Sequence, residues 1–510
     1  MAWVKLKQYL ENSWYRWASQ DRQTWYAAQF QYGENINIRD MKNWVCLSWW
    51  KTNKSSQTKK FVYFVYDQKL YAFTGNWDII DVDAGTVKCS VTVNSSQILC
   101  AEPFWWNIYV TSLNWHFYEI DPSWVNWTAT DCNVSFSWAD VMLNYANTFL
   151  LIWTYNELWK MDLVMWSPTF KKIREFKSWY NIYWLTQEWN YLKIYTSDWI
   201  NTKIHYAKGT FDVEDTWLIQ TVTFKWMSIS TWCVTSDQWT DYALFSFWTW
   251  EHKLAKIQWY NKTDIKWTQT WWWEKVFTNS STEPNIMASD WVLFVAMDEW
   301  IWTFTEYNWW LWWWCVEFRA ETWRTITSMF RFKEQLWVCS KKSSTSFYED
   351  YYDLSFHPSK YQTDWFVIGR VFDWWCAWLF KKNDQATITY NMPTWTSMEL
   401  SYRYDRNSFS YDKSNFLLIK KLTDTDNCYD VVFPTTPTTQ EQSLLTLENN
   451  DLILLENWNW ILLEDLLVCP FNKTWNLLEY RVDLSTTNTN TTPILFEHSL
   501  TYYDYMRKYR

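Results

Sequence analysis

Histidine is the side chain best suited to acid–base chemistry near neutral pH. The sequence contains five: His116, His205, His252, His357 and His498. No two of them have metal-pair spacing, and each lies in or beside a predicted strand, where a structural role is the more common one. No nucleophile elbow, zincin helix or phosphate-cradling loop is present either. The sequence therefore predicts no enzyme and no catalytic residue.

Carboxylates in two turns could offer oxygen ligands to Ca²⁺. They are Asp78, Asp81 and Asp83 in the first turn, and Asp424, Asp426 and Asp430 in the second. Neither group has the spacing of an EF-hand loop, so we interpret both as solvated turn carboxylates. We expect no metal and no cofactor.

Ten cysteines are scattered singly along the chain. They are Cys46, Cys89, Cys100, Cys132, Cys233, Cys315, Cys339, Cys376, Cys428 and Cys469. There is no C-x-x-C pair and no Cys/His spacing that suits zinc. Free thiols in a protein made in a reducing cytoplasm are the expected state.

The elements that must position these residues are β-hairpins. Seven recur, at 61–73, 107–120, 149–164, 180–195, 242–257, 285–305 and 326–338. Their starts span 265 residues in six intervals, a mean of about 44, within the range of four-stranded propeller blades. We predict an all-β protein whose residues 56–390 form a β-propeller of six to eight blades, with seven as the best fit. Residues 364–382 would complete the last blade or form an eighth, and the alternative is another all-β array such as a pair of sandwiches.

Two further segments flank the predicted propeller. Residues 1–55 carry few strand signals and are interpreted as an extended arm lying on a neighbour, or as a disordered leader. Residues 391–510 are predicted to form a C-terminal β-sandwich with strands at 397–404, 415–422, 428–433, 477–484 and 494–502. An inserted loop and a Leu-Glu repeat occupy 434–467, with Glu448, Glu456 and Glu464 spaced by eight.

Tryptophan is abundant where glycine is expected. The chain has 50 Trp and 5 Gly, although Gly usually makes up about 7% of a protein. Trp follows Asn or Asp, where hairpin turns favour Gly, at Trp44, Trp77, Trp115, Trp127, Trp199, Trp291, Trp309, Trp365, Trp374, Trp458 and Trp460. We hypothesise that most of these Trp are Gly in the natural protein, from a genetic system that reads UGA as Gly. The alternative is a Trp-rich binding surface.

Charge and hydropathy exclude several partners. The net charge is −10 and no basic tract stands out, so there is no footprint for nucleic-acid binding. The first residues lack the apolar core of a signal peptide. No apolar run approaches 18 residues, so the sequence predicts no membrane span.

Residues 196–202, TSDWINT, resemble a degenerate Asp-box, a turn of sialidase-type propellers, when Trp199 is read as Gly. The match departs from the pattern at Ile200 and Lys203. Because the motif occurs once and is a structural turn in that family, it implies no active site.

The C-terminal segment 478–505 resembles the C-terminal β-sandwich of tailed-bacteriophage virion proteins. The residues that carry the resemblance are Arg481, Asp483, Leu484, Thr492, Pro493 and Tyr502. Residues 34–45, with Trp44 read as Gly, are similar to the opening of phage propeller proteins. The resemblance covers about 130 residues at the C-terminus and the propeller only by architecture, and it implies a structural tail or tail-connector component.

We therefore expect a non-enzymatic virion protein, made in the host cytoplasm, that acts through protein–protein assembly. Its expected partners are other virion proteins and its own copies in a homo-oligomeric ring, with a host-surface glycan as a further candidate. One alternative is a carbohydrate-binding or glycan-cleaving propeller used in adsorption. The other is an intracellular propeller scaffold.

Overall fold

The computed structural model describes the following residues: 6–11, 30–34, 36–37, 45–47, 51–57, 61–73, 78–90, 97–122, 127–139, 141–188, 191–209, 211, 218–230, 233–237, 240–246, 252–258, 261–264, 285–289, 292–307, 312–313, 316–319, 323–355, 360–369, 380–404, 412–423, 430–434, 474–475 and 478–505.

These residues form 41 β-strands and one short 3-10 turn, Lys413–Asn415. The strands are β1 (Leu6–Glu11), β2 (Phe30–Glu34), β3 (Ile36–Asn37), β4 (Val45–Leu47), β5 (Lys51–Gln57), β6 (Val62–Tyr66), β7 (Lys69–Phe73), β8 (Asp78–Asp81), β9 (Thr86–Ser90), β10 (Ile98–Phe104), β11 (Asn107–Ser112), β12 (His116–Asp121), β13 (Thr128–Ser135), β14 (Met142–Tyr145), β15 (Phe149–Thr154), β16 (Glu157–Val164), β17 (Ser167–Glu175), β18 (Asn181–Glu188), β19 (Tyr191–Ser197), β20 (Thr202–Ala207), β21 (Leu218–Phe224), β22 (Val234–Asp237), β23 (Thr240–Ser246), β24 (His252–Gln258), β25 (Asn261–Asp264), β26 (Asn285–Ser289), β27 (Val292–Met297), β28 (Trp300–Tyr307), β29 (Trp312–Trp313), β30 (Val316–Arg319), β31 (Thr325–Phe332), β32 (Gln335–Ser343), β33 (Ser346–Asp353), β34 (Asp364–Gly369), β35 (Phe380–Asn391), β36 (Thr396–Tyr404), β37 (Leu417–Thr423), β38 (Asp430–Pro434), β39 (Thr474–Trp475), β40 (Leu478–Thr486) and β41 (Ile494–Tyr505).

Most of the described strands belong to four-stranded antiparallel units, which we number one to seven along the chain. The units are β6–β9, β10–β13, β14–β17, β18–β21, β22–β25, β26-β27-β28-β30 and β31-β32-β33-β5. The first strands of successive units lie side by side, from β6 to β10, β14, β18, β22, β26 and β31. This radial repetition of four-stranded meanders is a β-propeller.

Apolar side chains hold the units together face to face. All six residues of β15 and of β27 are buried, whereas β13 and β21, the fourth strands of their units, contain only partly exposed and exposed residues. Units seven and one also pack against each other, with Trp337 and Cys339 in one cluster with Phe61 and Leu70. The ring of units is therefore closed by buried apolar contacts.

β5 completes unit seven from the other end of the sequence. It pairs antiparallel with β33, from Gln57 opposite Phe347 to Lys51 opposite Tyr352. The prediction of an extended arm over 1–55 is therefore wrong for these residues. The segment KTNKSSQ has no apolar alternation because the outermost strand of a unit pairs mainly through its backbone.

The remaining strands form two further sheets. One has the order β3-β4-β41-β35-β38, with β1 also on β41 and β39 on β35, and the other continues through β2-β34-β40-β36-β37. They pack face to face, since His498 of β41 stacks on Tyr480 of β40 with ring centroids 4.1 Å apart. A Cβ on Gly369 would lie 1.9 Å from the Tyr480 ring, so this position of β34 requires glycine. The pair of sheets is a β-sandwich.

The sandwich draws strands from well outside the predicted range 391–510. β1 to β4 lie in its sheets, again in place of the predicted arm, and β34 pairs with β2 and β40, so it completes no blade. The predicted boundary at 390 falls at the end of β35. The apolar residues of β34 serve the sandwich core as well as they would a propeller core, because both cores need an apolar face. Residues 435–467 of the predicted insertion lie outside the described residues.

The predicted all-β fold, a propeller followed by a sandwich, is confirmed. Each of the seven predicted hairpins is present within a four-stranded unit. Unit six continues through a single parallel pair, Glu34 opposite Glu317, into the second sandwich sheet. The number of blades therefore stays a prediction, with seven four-stranded units in the described part of the chain.

Candidate functional site

Three ionisable side chains meet inside the propeller, between units four and five. Lys193 of β19 lies 3.0 Å from the Asp241 Oδ2 of β23 and forms a second ion pair with Glu188 of β18. The three side chains are only 1%, 3% and 6% exposed. We call Lys193, Asp241 and Glu188 the ionic cluster.

Hydroxyl groups complete the hydrogen bonding of Asp241. Its Oδ2 accepts from the Tyr195 hydroxyl at 2.5 Å and from Thr186 Oγ1 at 3.2 Å, and its Oδ1 accepts from Ser236 Oγ at 2.6 Å. Burial, with the nearby Asp241 carboxylate, raises the pKa of Tyr195 well above its ordinary value. Tyr195 is therefore a neutral donor at any physiological pH.

Lys193 stays charged because two carboxylates face it. Burial by itself lowers the pKa of Lys193, but Asp241 and Glu188 outweigh it, and the net pKa lies above the ordinary value. With so little exposure, none of the three groups presents a reactive atom to a substrate in solution. The ionic cluster links units four and five, as a buried ion pair can when each charge has its partner.

A second carboxyl, partly buried, lies between units two and three. Glu102 of β10 accepts a hydrogen bond from the Asn144 backbone N–H of β14. Burial raises the pKa of Glu102 to about 8, against the opposing effect of that hydrogen bond. The Asn144 side chain in turn donates to the Pro103 carbonyl at 3.0 Å. Glu102 thus holds its proton at neutral pH.

Polar bridges of this kind also join other neighbouring units. Gln187 Oε1 accepts the Ala146 N–H at 3.1 Å across units three and four. Thr235 Oγ1 accepts the Ala288 N–H at 3.1 Å across units five and six. The first strands are therefore connected to one another by hydrogen bonds as well as by apolar packing.

The structure brings no two of the described histidines together. His116 Nδ1 lies 2.8 Å from Asp131 Oδ2 at the surface of unit two. His252 lies against Ser246 Oγ at 2.8 Å, and burial lowers its pKa. His357 lies outside the described residues.

Two histidines are held neutral by burial. His205 lies between Thr196 Oγ1 at 3.0 Å and Thr221 Oγ1 at 2.9 Å, and burial, with nearby cations, lowers its pKa to about 4. His498 lies 2.7 Å from the Tyr402 hydroxyl in the sandwich, and burial lowers its pKa to about 3. These contacts serve the packing of strands.

The candidate calcium ligands that the structure describes do not converge. Asp81 is buried, and its Oδ1 accepts the Ala84 N–H at 3.0 Å in the turn after β8. Asp78 begins that strand, Asp83 lies in the turn, and Asp430 begins β38. No group of three metal-binding side chains forms among the described residues. Asp424 and Asp426 lie outside them.

The turn that resembles an Asp-box joins β19 to β20. Asp198 Oδ1 accepts the Ile200 N–H at 2.7 Å and also the Asn201 N–H. Burial raises the pKa of Asp198, but the N–H groups of Asn201 and Ile200 outweigh it, so the pKa lies below its ordinary value. The carboxylate is committed to the turn, in line with a structural motif.

Five cysteines of the described chain form no disulfide: Cys89, Cys100, Cys132, Cys233 and Cys339. Burial raises the pKa of Cys89 to about 11 and, with Glu119 and Asp131, that of Cys132 to about 12. Because the thiolate is the reactive form, both thiols are inert at neutral pH.

Sequence reasoning did not identify the ionic cluster, Glu102, or the buried Arg403–Glu479 pair of the sandwich, whose Nε–Oε2 distance is 2.7 Å. A signal was present, because Lys193, Asp241 and Glu102 each stand inside an apolar strand where a charge must find a partner. The identity of the partner follows only from the packing of units.

In the described part of the chain, no helix has the length and apolarity to cross a membrane.

No protein-family model and no curated protein matches the chain. Among solved structures, it is similar to BamB from Moraxella catarrhalis, with 11% identity over 58% of this chain and 85% of that one, and a TM-score of 0.37. The Cps50 (Swd1) β-propeller domain of Myceliophteria thermophila is 7% identical over 60% and 100%, with a TM-score of 0.44. The computationally designed Ika8 protein is 9% identical over 68% and 100%, with a TM-score of 0.39. These similarities concern the fold alone.

Proposed function

We propose that the chain is a non-enzymatic structural component of a tailed-phage virion, a tail or tail-connector protein that acts through protein–protein assembly. The propeller is its rigid ring-like module and the sandwich its docking module. Its location would be the virion, after synthesis in the host cytoplasm.

The observation that carries this proposal is the closure of both modules by strands from distant parts of the sequence. β5 completes unit seven beside β33, and β1 pairs with β41, from Leu6 opposite Tyr503 to Glu11 opposite His498. A module closed in this way can lose an edge strand only by breaking a whole ladder of backbone hydrogen bonds. Rigidity of that kind suits a component that must keep its shape within an assembly.

The residues that carry the phage-virion resemblance support the proposal by their positions. Arg481 Nε lies 2.9 Å from Asp483 Oδ2, and the Arg481 guanidinium lies 3.6 Å from the centre of the Phe366 ring. Leu484 and Thr492 are buried. These residues build the sandwich itself, as expected for a resemblance between structural domains.

The sandwich also offers a surface for a neighbouring subunit. β37 is the last strand of its sheet among the described strands, and it presents Leu417 and Leu418 half-exposed beside Lys420 and Lys421. We assign this edge to a strand of a neighbouring virion protein, added by backbone pairing.

The first test is fractionation of virus particles from the source sample, followed by peptide mass spectrometry. The proposal predicts peptides of this chain in the particle fraction, at a copy number in fixed ratio to other tail proteins. Peptides confined to the cellular fraction would contradict it and favour an intracellular scaffold. Binding of the purified protein to a glycan array, without incorporation into particles, would favour the carbohydrate-binding propeller.

The second test addresses the β37 edge. Leu418→Asp is expected to abolish association with the neighbouring subunit in native mass spectrometry of purified particle components. Val87→Asp is the matched control, because Val87 is about equally exposed on β9, which ends the sheet of unit one. Equal effects of the two changes would argue against the assignment of this edge.

A further inference from the structure

Tryptophan occupies turn positions whose backbone conformation disfavours it. Among the described residues, seven of the seventeen non-glycine residues with positive φ are Trp: Trp105, Trp115, Trp138, Trp166, Trp226, Trp323 and Trp395. Outside glycine, this left-handed region is uncommon and is enriched in Asn, Asp and His. Trp in this region therefore carries a steric cost that Gly does not.

Trp166 shows the conflict in a two-residue hairpin turn. Val164 and Ser167 are paired in register across the turn, and between them Met165 has φ +49° and Trp166 has φ +70°. Positive φ at both central residues defines a type I′ turn, whose second position favours Gly.

Trp115 shows the same conflict between residue type and backbone conformation in a three-residue turn. Its N–H donates to the Ser112 carbonyl at 2.9 Å, and its φ is +70°. In three-residue hairpin loops the left-handed position is the one that glycine fills. Two different turn types thus place Trp where each type calls for Gly.

At three of these turns the indole ring is about half exposed to solvent or more. Trp166 is 75% exposed, Trp323 is 84% exposed and Trp115 is 48% exposed. An exposed ring leaves most of its apolar surface in water, so burial offers little stabilisation in return for the strained backbone.

Positive φ and the Asn-Trp or Asp-Trp sequence pattern identify different Trp residues as candidates for Gly. Among the described Trp that follow Asn or Asp, only Trp115 has positive φ, whereas Trp127 and Trp365 are buried in cores. Trp199 is exposed without positive φ. The backbone criterion is therefore independent of the sequence pattern.

We infer that the seven Trp at positive φ are glycine in the protein as its source makes it, because that source reads UGA as Gly. The inference goes beyond the proposed function and holds for a virion protein and a cellular one alike. Its consequence for binding is direct. With Gly at these turns, their exposed indoles are not a stacking surface for sugars.

The decisive experiment is peptide mass spectrometry on the protein purified from its source. Trypsin releases residues 161–171, which contain position 166, and residues 383–403, which contain position 395. The expected peptides carry Gly at both positions. Trp at either position overturns the inference.

A second experiment measures the strain directly, on recombinant protein made with Trp at every UGA position. Trp105 and Trp106 share the turn between β10 and β11 and are both more than half exposed, but only Trp105 has positive φ. Trp105→Gly is expected to raise the melting temperature by about 1–2 °C, while Trp106→Gly is not. A Trp105→Gly protein that melts no higher than the Trp106→Gly protein overturns the inference at this turn.

Discussion

Charged side chains inside this protein are stable only as complete sets. The ionic cluster holds one cation between two carboxylates, and the sandwich holds Arg403 against Glu479 with both side chains buried. Desolvation of each charge is costly, and the attraction of its partner compensates only while that partner is present. Removal of one member therefore has a larger effect than its own contacts suggest.

Lys193→Met should leave Asp241 and Glu188 buried without their cation. The expected loss is about 3–5 kcal/mol of unfolding free energy, measured by chemical denaturation at neutral pH. Lys172→Met is the matched control, because Lys172 also pairs with two carboxylates, Glu157 and Glu175, but at the surface. Similar denaturation midpoints for the two variants would contradict a structural role of the ionic cluster.

Glu102→Gln should stabilise the protein increasingly as the pH rises above about 4.5. The folded Glu102 has a pKa of about 8 against 4.5 in an ordinary environment, so the folded state retains a proton that the unfolded chain releases. Stability from this group is complete below about pH 4.5 and is lost as the pH rises towards 8. The variant should melt above the parent at pH 8.5, with a smaller difference at pH 5. An equal difference at both values would rule out titration of Glu102 as the cause.

His498→Gln should weaken the acid sensitivity of the sandwich. The folded His498 has a pKa of about 3 against 6.5, so between these values the unfolded chain binds a proton that the folded state does not. Stability therefore falls as the pH falls from about 6.5 to 3, by at most about 1.4 kcal/mol per pH unit from this group. The variant should show a shallower slope of melting temperature against pH between 6 and 4. A variant whose slope equals that of the parent would contradict this role of His498.

At the scale of elements, the sequence revealed the inner hairpins because their strands are almost wholly apolar. The spacing between the starts of successive predicted hairpins is uneven for a structural reason. The third predicted hairpin is β15–β16, but the fourth is β18–β19, which begins one strand earlier in its unit. The first strands of the seven units begin at 62, 98, 142, 181, 234, 285 and 325. Their mean spacing, 263 residues over six intervals, is again about 44.

The fourth strands of the units could not be predicted in the same way. β13 reads TATDCNVS and β5 reads KTNKSSQ, and neither has the apolar alternation that identifies a half-buried strand. The partners of buried charges were equally hidden, because Lys193 and Asp241 are 48 residues apart and meet only when units four and five pack. Local patterns specify a strand, whereas its neighbour across a sheet or a unit depends on the whole chain.

A disulfide between β5 and β33 should test the closure of unit seven. Gln57→Cys with Phe347→Cys joins two residues that are partners in the register. If β5 closes the ring, the oxidised protein should melt at a higher temperature than the reduced protein. The disulfide should add up to about 5 kcal/mol to the free energy of unfolding. A cross-linked protein that melts no higher than its reduced form would show that loss of β5 does not precede unfolding.

At the scale of the whole molecule, the propeller and the sandwich share one N-terminal segment. β1 to β4 pair within the sandwich sheets, and β5 begins after only three further residues and pairs within the propeller. β33, which pairs with β5 in the propeller, ends at Asp353, and β34 of the sandwich begins at Asp364. Two short connections therefore run between the modules close to the same pair of strands.

Two truncations should separate the roles of this segment. Removal of residues 1–47 should expose β41 and leave β33 covered, whereas removal of residues 1–57 should expose both strands. Hydrogen exchange of peptides from β33 and β41 measures this, with faster exchange expected at each strand that loses its partner. Equal protection of β33 in the two truncations would show that β5 is dispensable for the propeller.

The pairing of β5 with β33 also has a consequence for synthesis. β5 ends at residue 57 and β33 begins at residue 346, so at about 5–20 residues per second β5 leaves the ribosome roughly 15–60 s before its partner exists. During this interval an unpaired strand can pair with another chain and aggregate. The polar sequence KTNKSSQ, with two lysines and no apolar residue, is what a strand needs to remain soluble until the last unit has been translated.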